Sequence, residues 1–258
     1  MKYALIGEKL GHSYSKIIHE KYFEINSMSS SYELIEVSRE KLVEIVFGLS
    51  GKGYAGINVT IPYKTDVYNM CDELSDEAKK IGSINTVKFS NGKLYGFNTD
   101  YSGLKLSLSY NRVELKGKDV VILGTGGASK AVQTLCEDSN CKNITLVSRT
   151  PKNEGKYKTV SYSEITGGDF IINTTPVGMY PNTDYSPFDA LEPFKVAVDL
   201  IYNPAQTLFL KRAQKLGLKT VNGLYMLVSQ ALFSEAIWNN EKVDIDAINK
   251  IYAQMGGE

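Results

Sequence analysis

The stretch "KDVVILGTGGASKAVQTLCEDS" (118–139) decides the fold of this sequence. It opens with an apolar run typical of a buried strand, turns through Gly124, Gly126 and Gly127, and continues with the composition of a helix. Glycine permits the tight turn and lets the backbone approach a pyrophosphate, and the helix N-terminus supplies free N–H groups. The stretch therefore predicts a dinucleotide-binding turn, with Ser129 where the general pattern has glycine or alanine. The alternative is a glycine turn that binds no ligand.

Short apolar segments recur on the C-terminal side of this stretch and alternate with helical ones. Strand followed by helix, repeated along the chain, predicts a parallel, doubly wound sheet. One helix, "QTLFLKRAQKLG" (206–217), ends at a glycine, as helices often do. The predicted strands are "NITLVSRT" (143–150), "DFIINTT" (169–175), "KVAVDLIY" (195–202) and "LKTVNG" (218–223).

The end of the strand at 143–150 indicates which dinucleotide binds. A site for NAD usually has an acid there to hold the ribose hydroxyls. This sequence has Ser148, Arg149 and Thr150, followed by Lys152. A guanidinium and a hydroxyl suit a 2′-phosphate, which an aspartate would repel. The pattern favours NADP over NAD; the alternative is an ordinary surface arginine.

The first hundred residues also alternate strand and helix, but they end differently. Apolar segments at 2–7, 31–37 and 55–60 predict strands. Helices are predicted at 38–49, with Ser38 as a cap, and from about Tyr63 to Gly82. Asn91-Gly92 between "NTVKFS" and "KLYGFNTD" predicts a hairpin, because both residues tolerate positive φ. This unit should therefore contain a mixed sheet, and the pattern changes near Tyr101. The tail is predicted to be helical.

Polar residues cluster in "GINVTIPYK" (56–64) and "GFNTD" (96–100). Pro62 prevents the strand from continuing in a central ladder, so Lys64 should lie just beyond its end. Asp100 should lie at the end of the second hairpin strand. An amine and a carboxylate that meet at a sheet end can exchange protons with an alcohol or ketone. Sequence spacing alone does not bring the two together.

Two serines near the start, Ser13 and Ser15, form a weaker signal. In an extended segment, residues two apart face the same way, so both hydroxyls could hold one carboxylate. The histidines His12 and His19 are more typical of structural roles.

Composition excludes several classes of protein. The 258 residues carry 29 basic and 29 acidic side chains, so no basic excess points to nucleic acid. No apolar run approaches the ~18 residues of a membrane span, and no signal-peptide pattern is present, so the cytoplasm is expected. Cys71, Cys136 and Cys141 are odd in number and irregularly spaced, which argues against a disulfide framework and a metal site.

Taken together, these segments resemble the shikimate dehydrogenase family over nearly the whole chain. The resemblance implies an NADP-dependent oxidoreductase that reversibly reduces 3-dehydroshikimate to shikimate. It implies a substrate-binding catalytic domain at 1–101 and 225–258, and a Rossmann-type NADP-binding domain at 102–224. The C-terminal helices would return to the first domain. The motifs that carry it are "HSYS", "NVTIPYK", "INTV", "GFNTD", "GTGGAS", "SRT", "TTPVGM", "DLIYNP" and "NGLYMLVSQA".

The resemblance also implies roles for individual residues. Lys64 and Asp100 would be the catalytic pair, and Ser13 and Ser15 would bind the substrate carboxylate. The ring hydroxyls would be bound by Thr60, Asn85 and Gln230, with Tyr202 near the substrate. The phosphate turn would be Gly124, Gly126, Gly127 and Ala128; the 2′-phosphate clamp Ser148, Arg149 and Thr150; and the nicotinamide end Gly223 and Met226.

Three positions depart from the family pattern without removing a catalytic group. Lys16 stands in place of proline, Glu20 in place of asparagine, and Ser148 in place of the asparagine that usually begins the clamp. Two other functions stay open: a quinate or broader-specificity dehydrogenase, and a non-catalytic NADP-binding regulator. A monomer or homodimer with a small-molecule substrate, and no nucleic-acid or membrane partner, is expected.

Overall fold

The computed structural model describes residues 1–11, 13–152 and 156–257. The chain divides into two compact units, one of residues 1–103 with 227–258 and the other of residues 104–226. Among the described residues, no helix has the length and hydrophobicity that crossing a bilayer requires.

Strands and helices alternate along most of the described chain. The strands are β1 (Lys2–Gly7), β2 (Ser31–Glu36), β3 (Tyr54–Val59), β4 (Glu73–Leu74), β5 (Thr86–Ser90), β6 (Lys93–Phe97), β7 (Asp119–Leu123), β8 (Asn143–Val147), β9 (Lys158–Val160), β10 (Phe170–Asn173), β11 (Val196–Asp199) and β12 (Lys219–Val221). The α-helices are α1 (Ser15–Ile25), α2 (Leu42–Gly51), α3 (Lys64–Tyr68), α4 (Asp76–Ile81), α5 (Thr99–Tyr110), α6 (Gly127–Asp138), α7 (Leu208–Lys215), α8 (Leu224–Asn239) and α9 (Ile245–Gln254). Short 3-10 helices cover Arg39–Lys41 and Tyr162–Glu164.

The first unit contains a mixed six-stranded sheet in the order β2–β1–β3–β5–β6–β4, which confirms the predicted mixed sheet. β1 pairs in parallel with β2 and β3, whereas β5 pairs antiparallel with β3 and β6. Asn91 and Gly92 both have positive φ, at 52° and 72°, so the hairpin turn forms as predicted. One hydrophobic cluster of this unit joins residues of β1, β3, β5 and β6 to residues of α2, α3 and α4, and it includes Ala4, Ile6, Val46, Ile57, Val59 and Val67.

The single helix predicted over 63–82 is wrong. The chain interrupts it with β4, because the backbone at Asp72 and Ser75 hydrogen-bonds to β6 at 2.9 Å in each case. The Asp72 carboxylate also accepts the Leu94 N–H at 2.8 Å. Ser75 then caps α4 by accepting the Ala78 N–H at 3.1 Å. Helical propensity is overridden here by pairing at the sheet edge.

Two other local expectations need correction. Ser38 precedes the 3-10 turn, but its side chain does not cap the backbone there. Ser13 and Ser15 do not lie in an extended segment, because Tyr14 is helical (φ −85°, ψ −4°) and α1 begins at Ser15. The Ser15 N–H instead donates to the Ser13 hydroxyl at 3.2 Å.

The second unit contains a six-stranded sheet in the order β12–β11–β10–β7–β8–β9, and every pair is parallel. This is the doubly wound topology predicted from the alternation of strands and helices, with the addition of β9. The inner strands β7, β10 and β11 are almost entirely buried, as expected for a sheet covered on both faces. The core includes Val121, Leu123, Ile171, Ala197, Phe209, Leu210 and Ala213.

The strand order reverses between β7 and β10, and the glycine turn begins at that point. Gly124 follows β7 with φ +104°, a conformation that side chains rarely adopt. The Thr174 hydroxyl, which follows β10, donates to the Leu123 carbonyl at 2.6 Å and lies against Gly124. Open α/β sheets bind ligands at such a switch point.

Candidate active site and cofactor turn

Lys64 and Asp100 meet in the first unit. The Lys64 Nζ donates to Asp100 Oδ2 at 2.5 Å, and the side chains are 15% and 10% exposed. Lys64 begins α3 immediately after Pro62 and Tyr63, while Asp100 lies in the first turn of α5 rather than at the strand end predicted for it. The two charges are therefore largely shielded from water yet remain accessible, the environment in which an ion pair can exchange a proton with a bound ligand.

Asn85 fixes the second oxygen of Asp100. Its Nδ2 donates to Asp100 Oδ1 at 2.9 Å, and its Oδ1 accepts the Thr99 N–H at 2.7 Å. The Thr99 N–H can only donate, so it determines which end of the amide faces the carboxylate. Asp100 is therefore held on one oxygen by an amide and on the other by an amine.

A buried polar cluster lies next to this amide. Asn58 is 5% exposed and uses both ends of its side chain. Its Oδ1 accepts the Tyr32 hydroxyl at 2.7 Å, and its Nδ2 faces the Asn85 carbonyl, Thr86 and Ser234 at 2.9–3.2 Å. Buried polar groups that are fully hydrogen-bonded make a core unique and rigid. The cluster thus supports the strand segment that carries Asn85.

The other predicted substrate residues of this unit lie around the same segment. Gln230, on α8, is half-buried, accepts from Asn85 Nδ2 at 3.3 Å and donates to the Leu227 carbonyl at 2.9 Å. Thr60 is half-buried directly after β3, and its N–H donates to the Ile6 carbonyl at 3.0 Å. Ser15 is 7% exposed at the start of α1, and Ser13 is half-buried. The structure brings Asn85 and Gln230 into contact with each other and Asn85 into contact with Asp100.

His19 has other partners than this ion pair. His19 is completely buried: its Nδ1 lies 2.5 Å from Glu235 Oε1 and its ring stacks on Tyr32 at 4.0 Å. His12 lies outside the described residues. Within the part of the chain that the structure describes, no three His, Cys, Asp or Glu side chains come together as a metal ion would need.

The residues predicted to bind the cofactor lie in the second unit. Gly126 precedes α6 in an extended conformation, and Gly127 and Ala128 form its first turn. That turn contains no acidic side chain and its start has no side-chain cap, so its N–H groups are oriented to receive an anion. Ser129 is completely buried, which explains why a small residue is required there.

Our first prediction is that alanine substitutions at Gly124 and at Gly126 have different effects on stability and on NADP binding. A Cβ at Gly124 would lie 2.8 Å from the Thr174 hydroxyl oxygen at φ +104°, so Gly124→Ala should destabilise the fold by about 1–3 kcal/mol. A Cβ at Gly126 would meet nothing within 4 Å. Gly126→Ala should leave the unfolding free energy unchanged. It should weaken NADP binding, because the new methyl group would occupy the space in which the phosphate is expected to bind.

Urea unfolding and NADP titration of the two variants measure both effects. Unchanged NADP affinity in a folded Gly126→Ala variant would mean that the phosphate does not lie against this turn.

The segment after β8 has the shape of a turn closed by its own hydroxyl. Ser148 is half-buried; its N–H donates to Val160 O at 3.0 Å and its hydroxyl accepts the Thr150 N–H at 3.2 Å. Arg149 is exposed, and its charge acts on Tyr162, whose pKa burial raises and Arg149 lowers. The guanidinium therefore faces solvent at the end of the strand next to the glycine turn.

Three predicted residues of this unit remain: Gly223, Met226 and Tyr202. A Cβ at Gly223 would lie 2.2 Å from the Leu200 carbonyl oxygen, so this position has room only for glycine. Met226 is 8% exposed, and Tyr202 is half-buried shortly after β11.

Sequence reasoning missed a buried carboxylate, Asp199, at the end of β11. Its Oδ1 accepts from Asn173 at 2.9 Å and from the Ile201 N–H at 3.1 Å, and its Oδ2 accepts the Thr207 hydroxyl at 2.6 Å. Asn173 in turn accepts the Thr175 hydroxyl at 2.7 Å. Asp199 thus ties together the segments that follow β10 and β11. The sequence feature that could have pointed to Asp199 is an acidic residue at the end of an apolar segment typical of a buried strand.

Asp199 should make stability depend on pH, our second prediction. Burial raises its pKa from the ordinary 3.8 to about 6, so the folded state binds more protons than the unfolded state between these values. Its contribution to the unfolding free energy is present below pH 3.8 and is lost as the pH rises through about 6, by up to roughly 3 kcal/mol. Asp199→Asn should remove this fall.

Urea unfolding of wild type and Asp199→Asn across this pH range isolates the effect. Asp169→Asn is the control of opposite sign, because the hydrogen bond from Lys195 lowers the pKa of Asp169 and its contribution is lost as the pH falls. Parallel pH profiles for wild type and Asp199→Asn would contradict the prediction.

One unit has a mixed sheet and a shielded Lys–Asp pair. The chain continues into a doubly wound parallel sheet with a glycine turn at its switch point. Together these features define an α/β protein of the dinucleotide-binding class. Residues 5–87 match the family described as the shikimate dehydrogenase substrate binding domain. The chain is 43% identical to the shikimate dehydrogenase (NADP(+)) of Clostridium perfringens strain SM101, over 98% of this chain and 97% of that protein. The chain therefore belongs to the shikimate dehydrogenase family.

Solved structures agree with this assignment. A chorismate mutase/shikimate 5-dehydrogenase fusion protein from Clostridium acetobutylicum is 48% identical with a TM-score of 0.95, covering 99% of this chain and 97% of that one. Shikimate 5-dehydrogenase from Thermus thermophilus, solved in complex with NADP(H) and shikimate, is 29% identical with a TM-score of 0.88, covering 98% and 99%. The fold class and family expected from the sequence are confirmed.

Proposed function

We propose that this protein catalyses the reversible, NADPH-dependent reduction of 3-dehydroshikimate to shikimate. The observation that carries the proposal is the ion pair between Lys64 and Asp100, at 2.5 Å, in a chain of the shikimate dehydrogenase family. The solved relative from Thermus thermophilus, which binds NADP(H) and shikimate, supports the choice of cofactor and substrate. Residues 1–101 and 225–258 would form the substrate domain, and residues 102–224 the NADP domain.

Lys64 would act on the carbonyl oxygen. Bound NADPH would supply a hydride to the C3 carbonyl, so negative charge would develop on the C3 oxygen. The Lys64 ammonium donates a hydrogen bond or a proton to that oxygen. Asp100 holds the amine from one side and the substrate ring from the other, and it is itself oriented by Asn85. General acid–base help of this kind contributes roughly 10²–10⁴-fold.

Substrate recognition would come from neutral hydrogen-bonding groups. Ser13 and Ser15 would hold the carboxylate, and the start of α1 at Ser15 supports this because a helix N-terminus favours an anion. Thr60, Asn85 and Gln230 would bind ring hydroxyls, with Tyr202 near the substrate. Asn85 and Gln230 already contact each other, so a hydroxyl bound there would meet both amides.

The cofactor would be held at the glycine turn and the end of β8. Gly124, Gly126, Gly127 and Ala128 fit a pyrophosphate, because the helix start is uncapped and a methyl at Gly126 would meet only open space. Ser148, Arg149 and Thr150 would receive the 2′-phosphate, and Gly223 and Met226 would line the nicotinamide end. Cytoplasmic location and a monomeric or homodimeric state stay predictions.

One assay tests the function: formation of NADPH followed by absorbance with shikimate and NADP. Quinate in place of shikimate, and NAD in place of NADP, decide between a shikimate enzyme and one of broader specificity. Tight NADPH binding without turnover of either acid would instead favour a non-catalytic NADP-binding regulator and overturn the proposal.

A further inference from the structure

The C-terminal end of α6 brings two cysteines together. Asn140 has φ +54°, its N–H donates to Glu137 O at 2.9 Å, and the Cys141 N–H donates to Cys136 O at 3.0 Å. These are the bonds of a Schellman motif, in which the residues at the positions of Cys136 and Cys141 normally touch through their side chains. The backbone therefore places the two thiols against each other at the end of the helix.

The two thiols differ in burial and chemistry. Cys136 is completely buried, whereas Cys141 is half-buried and its thiol donates to the Leu115 carbonyl at 3.3 Å. The neighbouring Cys136 thiol lowers the pKa of Cys141, whereas Cys141 and burial together raise the pKa of Cys136. Cys141 is thus the better nucleophile and the one that solvent reaches.

We propose that Cys136 and Cys141 form a redox-modification site, at which hydrogen peroxide oxidises Cys141 and Cys136 then closes an intramolecular disulfide. In the first step, the Cys141 thiolate attacks one peroxide oxygen, the O–O bond breaks, and the departing hydroxide takes up a proton to give water and a sulfenic acid. In the second, the Cys136 sulfur displaces that hydroxyl, and the Cys136 proton leaves with it as a second water. Two thiols and one peroxide give one disulfide and two waters.

The arrangement protects the thiol from irreversible damage. A sulfenic acid with a neighbouring thiol becomes a disulfide that thiols reduce again, whereas a solitary one proceeds to sulfinic acid. Cys71 provides the internal comparison, because burial raises its pKa to about 12. It should remain a thiol under the same treatment.

The test is peroxide treatment of the full chain followed by non-reducing peptide mapping. Trypsin leaves both cysteines in one peptide, residues 131–142, which should lose two hydrogen atoms and regain them with dithiothreitol. Cleavage after Glu137 should then yield two peptides that stay joined until reduced. A link through Cys71, or sulfinic acid at Cys141 with no loss of two hydrogens, would overturn the proposal.

Variants separate the two steps. Cys71→Ser should form the disulfide as wild type does. Cys136→Ser should stop at the sulfenic acid, so that dimedone labels Cys141, and Cys141→Ser should give neither product. Dimedone labelling of Cys71 in preference to Cys141 would contradict the assignment. Wild-type mapping does not depend on how well the Cys136→Ser variant folds.

Discussion

Lys64→Ala should lower kcat for shikimate oxidation by roughly 10²–10⁴-fold while KM changes far less, because the proposed role of the amine is to act on the oxygen whose charge changes in the transition state. The ground-state contacts of Asp100 with Asn85 survive the substitution, since they use the other carboxylate oxygen. Steady-state kinetics with shikimate and NADP measure both constants.

Two further variants make this result specific. Lys64→Met keeps most of the side-chain volume and should lose kcat to the same extent, which separates loss of the amine from loss of packing. Lys79→Ala is the matched control, because Lys79 lies on α4 of the same unit and is 60% exposed in a 3.8 Å ion pair with Asp76. It should leave both constants unchanged, as exposed pairs contribute little. Near-normal kcat in a folded Lys64→Ala variant would remove Lys64 from the mechanism.

The parts of the fold that sequence predicted well are those that local chemistry determines. The glycine turn after β7 and the Asn91-Gly92 hairpin both need positive φ, and both appear where glycine or asparagine permits it. The prediction of a single helix over 63–82 failed because the conformation of this segment depends on a distant partner: β4 forms only where β6 supplies hydrogen bonds. The strand β9 was missed because three residues carry almost no sequence pattern of their own, so it too depends on its partner strand.

In the candidate site, too, individual residues could be predicted from the sequence, but the contacts between them could not. Sequence pointed to Lys64 and Asp100 separately, but 36 positions separate them and only the folded sheet brings the amine and the carboxylate to 2.5 Å. In the sequence, Asn58 is only one of the polar residues in "GINVTIPYK" (56–64). In the fold it is buried at the centre of a hydrogen-bonded cluster that includes Ser234 from α8, a partner 176 residues away. Spacing cannot reveal a contact of that kind.

Arg149→Ala should remove the discrimination between NADP and NAD. A hydrogen bond to a charged group contributes about 1.5–3 kcal/mol, so NADP should bind roughly 10–150-fold more weakly while NAD, which lacks the 2′-phosphate, binds as before. The Ser148 hydroxyl accepts the Thr150 N–H and shapes the turn, which leaves the exposed guanidinium as the main group able to meet the phosphate.

Titration of each variant with NADP and NAD measures this difference directly, and the ratio of the two affinities matters more than either value. Arg212→Ala is the matched control, because Arg212 lies in the same unit, is 40% exposed and pairs with Asp189. It removes the same charge from α7 and should leave the ratio intact. Equal weakening of both dinucleotides by Arg149→Ala would show that Arg149 supports the turn without reading the 2′-phosphate. Unchanged affinities for both dinucleotides would return the choice of cofactor to Thr150 and Lys152, the other polar groups that follow β8.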